Sequence, residues 1–556
     1  MLLQTFTKRA TDLGKQPGTN GIVHAFPRGK VLGGSSAINY MMYVRGQAAE
    51  YDDWVRLTGY SNWGWSGLKP FFMKSESMVA PTPEADHNDS GAKVNIAYET
   101  ESHGNSGPIK TSFGNWSPPI VDLWHEASKA MGLQWTPPKD AWSGTHLGGY
   151  SNLSTIDRSQ GPGTRSYSAN GYLTPNAKRN NLMVLTEAVV ARIVLDCDRH
   201  MPAATGVVIL KDGQERIIKA KREIIIAAGV VQTPQILELS GIGRRDILEN
   251  VGLQCIVDSE RVGEQFEDHP ATVLSYDLVD GELSLDQLTQ QAVMGEAMQK
   301  YGMGQGGPLA NGINDNGFAA IAQIATMKEK DRISEAVNEE IESAGDRWTR
   351  EERKILAKRI MDPQAASIQL IILPASTDPS HFDDQTKLLA PGIGNNRCSI
   401  IVAASHPFSR GSIHIQSTDA TVQPRIDPQY LQSKVDVEIL SVGLRIADEM
   451  FRTKPLADAV RVRVFPAPDM DMDDPAQRED YLRKHTGTEY HPCGTAALGQ
   501  VVDERLRVFS VDRLRVVDAS IIPLHLSGNI CALVYAIAEK AADMIKEDQR
   551  DTRAFL

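Results

Sequence analysis

The sequence predicts a mixed protein, α/β in one part and α+β in the other, and three stretches carry that prediction. Ile224-Ile225-Ile226 is a short β-branched run that passes at once into the helix-like stretch 229–243, and Val516-Val517-Asp518-Ala519-Ser520 ends in a polar turn before the apolar helix 531–545. Both are strand-turn-helix units of an α/β layer. Residues 398–402 and 411–416 are apolar segments flanking a Ser405-His406-Pro407 turn, which predicts antiparallel strands of a second sheet. Between these parts, residues 325–361 are rich in both charges, with Ile333, Val337 and Ile341 on one stripe, the pattern of helices with a solvated outer face.

In chain order, the first chemically suggestive stretch is 29–52, GKVLGGSSAINYMMYVRGQAAEYD. Gly33 and Gly34 allow backbone to approach a ligand without a Cβ in the way, and Ser35 and Ser36 can donate hydrogen bonds. Taken alone, such a run is an ordinary turn, and Tyr40, Met41, Met42 and Tyr43 would serve as core. The whole pattern is more specific. Gly29-Lys30, Leu32 to Ser36, Asn39, Tyr43, Gly46 and Asp52 together resemble the first signature of the glucose-methanol-choline (GMC) flavoprotein oxidoreductases.

That resemblance implies an incomplete Rossmann-like FAD-binding domain and a substrate domain with an antiparallel sheet covered by helices. The FAD-binding domain would be drawn from three separated segments, 1–70, 161–268 and 479–556, with a lid and substrate-domain segment at 71–160 and the substrate-binding domain at 269–478. It places Gly33, Gly34, Ser35, Asn39, Tyr40, Met41 and Met42 against FAD, with 39–42 along the isoalloxazine ring. Some members of the family tether FAD through a histidine directly before this asparagine; Ile38 stands there, which implies noncovalent FAD.

Upstream of residue 29 there is no room for the strand, G-x-G-x-x-G and helix that the family carries before its first signature. This predicts weakened FAD binding by the chain as written, a truncated gene product, or a GMC-fold protein acting as a lyase, cyclase or flavin-free binding protein. The one G-x-G-x-x-G match, residues 302–307, follows the helical run 288–300 and reads as a loop.

Residues 53–180, rich in Trp, Gly, Pro, Asn and Ser, predict loops and short helices around a site. Residues 163–173 lead back into the FAD domain by resemblance. Strands are predicted at 181–195, 206–211 and 223–227, and the family implies adenine contact through the backbone at Val190. The second signature follows at 229–243, where Thr233-Pro234 predicts a helix start and Gly241 its stop; Val230 stands where the family usually has a smaller residue.

Composition limits the alternatives. The 556 residues suffice for two or three cores, and 41% hydrophobic with 23% charged residues is ordinary for a globular protein. A net charge of −12 disfavours nucleic acid and anionic membranes as partners, and no apolar run is long enough for a membrane span. Five scattered cysteines without a C-x-x-C pair predict neither disulfides nor zinc. No secretory signal is visible in the first fifteen residues, so the expected location is cytoplasmic, with the sequons at Asn88, Asn115 and Asn152 arising by chance.

The chemistry concentrates near the C-terminus. His491-Pro492-Cys493-Gly494-Thr495 resembles the family's H-x-x-G-T motif, whose histidine faces the flavin and removes an alcohol proton. Histidine suits that task because its pKa lies near working pH. The family's second catalytic residue, His or Asn, precedes the last helix and aligns with Asn529; Asp518 and Ile530 are implied cofactor contacts. His525 is assigned to structure or substrate contact, and His406 and Arg410 to structure. The expected reaction is oxidation of a small-molecule alcohol by hydride transfer to FAD, with oxygen or an unspecified electron acceptor and no metal.

Overall fold

A computed structural model describes residues 7–8, 15–81, 96–132, 138–313, 315–389 and 394–554. The sequon at Asn88 and most of the N-terminal stretch 1–15 lie outside the described residues. No described helix is long and apolar enough to cross a membrane.

A seven-stranded antiparallel sheet forms one half of the molecule. Its order is Val460–Phe465, Pro270–Leu278, Arg397–Ala404, Ile368–Leu373, Asp315–Ala319 and Gly148–Ser151, with Thr486–Thr488 added beside the start of Pro270–Leu278. Ile368, Leu370, Ile372, Ile400 and Val402 are fully buried. Helix Lys434–Phe451 lies so close to this sheet that a Cβ on Gly443 would stand 2.5 Å from Val402. Helices Met327–Glu342 and Arg347–Ile360 form an outer layer over it. The first begins at a Thr326/Glu329 capping box, and Asp346 caps the second, so the charged stretch 325–361 divides in two at residues 343–346. Arg445 on the inner helix binds Glu329 at 2.8 Å, fastening the layers together.

The second half carries the parallel pair Ile224–Ile226 and Leu514–Val516, followed respectively by helix Gly229–Leu239 and the long helix Cys531–Ala554. An antiparallel meander, Val189–Asp196, Ala203–Lys211 and Gln214–Lys219, packs on the first helix. The Trp-rich segment after residue 53 is nailed to the rest by buried indoles. Trp54 donates to the Leu524 carbonyl at 3.0 Å, Trp63 to Glu504 at 2.9 Å and Trp142 to Tyr43 at 2.6 Å. Each joins chain segments far apart in sequence, so these loops are a packed layer rather than a loose cover.

Three local expectations are corrected. Residues 181–188 are not strand; Leu182 to Leu185 have no neighbouring strand among the described residues to take their backbone hydrogen bonds, and Met183 is 91% exposed. Residues 412–414 join Arg425–Asp427 in a separate two-stranded hairpin instead of the large sheet, because the chain turns away after Pro407. Helix Gly229–Leu239 starts four residues before Thr233, with Pro234 inside it. Pro234 has no N–H for the Val230 carbonyl, and the Thr495 hydroxyl donates to that carbonyl at 2.8 Å instead. Gly241, at φ 78°, does stop the helix, and of residues 302–307 the first ends helix Gln291–Gly302 and the rest form a loop.

Candidate active site

Where the two halves meet, a cavity of about 1320 Å³ is lined by the first-signature loop, the inner face of the large sheet and the C-terminal segment. Gly33, Gly34, Ser35, Asn39, Tyr40, Met41, Met42, His491, Asp518, Asn529 and Ile530 all line it. Val190 does not; it sits on the meander strand, 37% exposed.

The signature loop is built by its small residues. Gly33 has φ 98°, and a Cβ there would stand 2.7 Å from the Tyr167 ring. Ser36 donates to the Gly33 carbonyl at 2.6 Å, and the Ser35 hydroxyl accepts the Gly29 amide at 3.3 Å. Asn39 turns the chain into the cavity wall: its side-chain oxygen accepts the Met41 amide at 3.2 Å and Arg165 Nη1 at 2.7 Å, and Met41 takes φ 64°. Arg165 also holds the Asn39 carbonyl at 2.8 Å. The Tyr40 hydroxyl accepts Gln385 Nε2 at 2.5 Å, and burial pushes the phenol up to about 12.

Asp518 is engaged at the start of helix Gly229–Leu239, where one carboxylate oxygen accepts the Gly229 amide at 2.9 Å and the Thr233 hydroxyl at 2.6 Å. Ile530 and Cys531 open the last helix at the cavity wall, an end whose free N–H groups favour negative charge.

Around His491 the hydrogen bonds assign the protons. His269 Nε2 faces two carbonyls, Ser405 at 3.0 Å and Leu526 at 2.9 Å, so it must donate. In neutral His269 the other nitrogen, Nδ1, is then an acceptor, and it lies 3.1 Å from His491 Nδ1. His491 therefore carries its hydrogen on Nδ1 and leaves Nε2 unprotonated, where Asn529 Nδ2 donates at 2.9 Å. Asn529 is oriented in turn by Gln369 Nε2, 3.4 Å from its carbonyl oxygen. Burial, followed by His525 and Arg28, lowers the His491 pKa well below the ordinary histidine value expected from sequence. The ring is neutral at neutral pH.

The backbone around His491 is fixed by Asp268, which accepts the His491 amide at 2.8 Å and the Tyr430 hydroxyl at 2.5 Å. His525 is engaged away from the cavity: its Nε2 donates to the His491 carbonyl at 2.7 Å, its Nδ1 accepts the Leu526 amide at 3.0 Å, and its ring lies 3.7 Å from that of His269. Burial lowers it to about 4. His406 pairs with Glu50 at 2.9 Å and Arg410 with Glu267 at 3.2 Å, both outside the cavity lining.

Sequence reasoning missed His269, Gln369 and Glu489. The run Glu267-Asp268-His269-Pro270, three titratable groups at the head of a strand, was the available signal for the first. Glu489 lies two residues before His491 and lines the cavity with a side chain 10% exposed. His269, Glu489 and His491 bring ligand-type atoms within 4.8 Å of one another, but the two imidazoles already share one hydrogen between them.

The cavity fits the flavin end of FAD. The Gly33 cradle admits no Cβ, residues 39–42 form one wall, and the last helix begins at another. The buried Tyr490 hydroxyl, on the same lining, has no hydrogen-bond partner among the described residues. Ile38 offers no nucleophile for a covalent tether.

Comparison with known proteins agrees with this geometry. Family models described as GMC oxidoreductase match residues 11–271 with the N-terminal part and 407–538 with the C-terminal part. A dehydrogenase named citC from Monascus ruber is 38% identical over 545 residues, covering 96% of this chain and 86% of its own length. The GMC oxidoreductase family protein Mala s 12 of Malassezia sympodialis is 32% identical over 542 residues, 94% of this chain and 80% of that one. Among solved structures, an FAD-dependent oxidoreductase from Chaetomium thermophilum superposes with a TM-score of 0.87 at 26% identity, covering 98% of this chain and 91% of its own. A fungal aryl-alcohol oxidase shares the fold at a TM-score of 0.83 and 24% identity, over 98% and 90% of the two chains. The chain belongs to the GMC oxidoreductase family, and its cofactor is FAD.

Proposed function

We propose that this oxidoreductase oxidises an alcohol to an aldehyde or ketone, with His491 as the base and Asn529 as its partner. The observation that carries the reading is the proton assignment at His491: a neutral ring whose unprotonated Nε2 lies beside the Asn529 amide at the cavity wall. Bound FAD would supply the two-electron acceptor for the carbinol hydrogen. The substrate hydroxyl replaces the Asn529 N–H on the single lone pair of His491 Nε2 and passes its proton there, and Asn529 Nδ2 donates to the oxygen that becomes an alkoxide. Leu285, Leu288, Met294, Phe382 and Leu388 make the remaining wall apolar, which favours an alcohol with an apolar or aromatic body.

The test is rapid mixing of FAD-loaded protein with a panel of apolar primary and secondary alcohols, following flavin reduction. His491→Ala should slow reduction by roughly 100- to 10,000-fold, the usual contribution of a positioned base. That is about 3 to 5 kcal/mol of barrier. Asn529→Ala should cost less, because water can replace one amide hydrogen bond. Reduction of His491→Ala at the wild-type rate would remove His491 from the chemistry.

A further inference from the structure

Glu489 has no place in the chemistry described so far, yet its setting is unusual. Its side chain is nine-tenths buried, both carboxyl oxygens lack a hydrogen-bond partner among the described residues, and one of them lies 3.7 Å from His491 Nδ1 and 3.8 Å from His269 Nδ1. A buried carboxyl without a partner is costly. Its position is nonetheless fixed, since the Glu489 amide donates to the His269 carbonyl at 3.0 Å and Thr488 pairs with Pro270 in the sheet.

The charge it faces is the one the reaction would create. When His491 Nε2 takes a proton, the O–H bond of the substrate breaks, its electron pair stays on oxygen, and the ring becomes an imidazolium that keeps its hydrogen on Nδ1. Asp268 is occupied by the His491 backbone amide and by Tyr430, and Glu50 by His406 and Ser527. Among the described residues, Glu489 is the carboxyl group within 4 Å of a His491 ring nitrogen. We propose that Glu489 is a positioning residue for the base: its carboxylate lies 3.7 Å from Nδ1 of the His491 imidazolium, beside the hydrogen bond that Nδ1–H makes to His269, and holds that charge while the proton resides on Nε2. This rests on His491 being the base.

A pH dependence follows. The groups beside Glu489 are His269 and Asp268 from the head of the Pro270–Leu278 strand and His491 from its own segment; Arg28 from the N-terminal segment acts on Tyr490 and His491, and His525 from the loop before the last helix acts on His491 and His269. Burial, with Asp268 beside it, raises the Glu489 carboxyl to about 8. Below that pH it is neutral and cannot hold the imidazolium; above it the carboxylate is formed. His491 itself titrates well below 6.5, so it does not produce a limb in this range.

The experiment is flavin reduction by rapid mixing across the range from about pH 6 to 10, with the infrared carboxyl stretch followed in the same protein. Wild type should rise about 10- to 100-fold through pH ~8, a share of the total contribution of the base. The protonated-carboxyl band should fade over the same range. Glu489→Gln, which keeps the shape, should be flat at the low plateau and lack that band. Glu489→Asp should retain a limb. A limb that persists in Glu489→Gln overturns the proposal, as would Gln and Asp variants equally slow at every pH. A wild-type rate in His491→Ala would instead strike the base itself, so the two failures are distinguishable.

Discussion

Replacing His269 tests the proton assignment on which the site depends. His269→Leu removes the acceptor 3.1 Å from His491 Nδ1 and the donor to the Ser405 and Leu526 carbonyls. In the resting enzyme the lost bond is neutral and contributes about 1 kcal/mol; once His491 is an imidazolium the same bond has a charged donor and contributes about 1.5 to 3 kcal/mol. The effect therefore falls mainly on the transition state. The difference, about 0.5 to 2 kcal/mol, should slow flavin reduction by about 2- to 30-fold at saturating alcohol, at 1.4 kcal/mol per factor of ten. Rapid-mixing kinetics measure this directly, with circular dichroism melts to show that the variant is folded. In a His491→Ala background the same substitution should have almost no further effect, because the proton it positions is gone. A folded His269→Leu enzyme that reduces flavin as fast as wild type, or full additivity with His491→Ala, would refute the assigned tautomer.

Away from the cavity, His414 sits between Glu238 at 2.6 Å and Glu264 at 3.2 Å, and these carboxylates raise it from 6.5 to about 9 against the opposing effect of burial. Because the folded value is the higher one, the stabilisation is complete below pH ~6.5 and is lost as pH rises through ~9; it amounts to about 3 kcal/mol. Urea denaturation of His414→Gln should show the largest deficit at pH ~6 and little at pH ~10; an equal deficit at both would exclude this ion pair as the cause. Gly33→Ala should weaken FAD binding at least tenfold, since φ 98° is strained for alanine by about 1 to 2 kcal/mol and its Cβ would press on Tyr167. Fluorescence titration with FAD checks this, and an unchanged dissociation constant would mean the loop relaxes freely.

What the sequence by itself determined was local. Ile224 to Ile226 followed by a glycine, the glycine-serine run at 33–36 and the amphipathic stretch after residue 325 each express a short-range preference of backbone or hydrophobic period, and each forms the expected element. The signatures around residues 33 and 491 sufficed to bring the chain to its family, and the cavity unites ten of the eleven other proposed site residues with His491, leaving Val190 outside. Tertiary structure decided what local preference cannot encode. Residues 181–188 are apolar enough for a strand, yet a strand needs a neighbour to satisfy its backbone, and the described residues provide none. Residues 412–414 pair with 425–427 rather than with the large sheet, a choice made by where the chain travels after Pro407. His269 and His491 are 222 residues apart, Gln369 and Asn529 are 160, and Asn39 and Arg165 are 126. Which nitrogen of His491 holds the proton is set by two carbonyls, Ser405 and Leu526, that face a different histidine. A protonation state fixed through such a relay depends on distances of about 3 Å between segments that only the fold brings together.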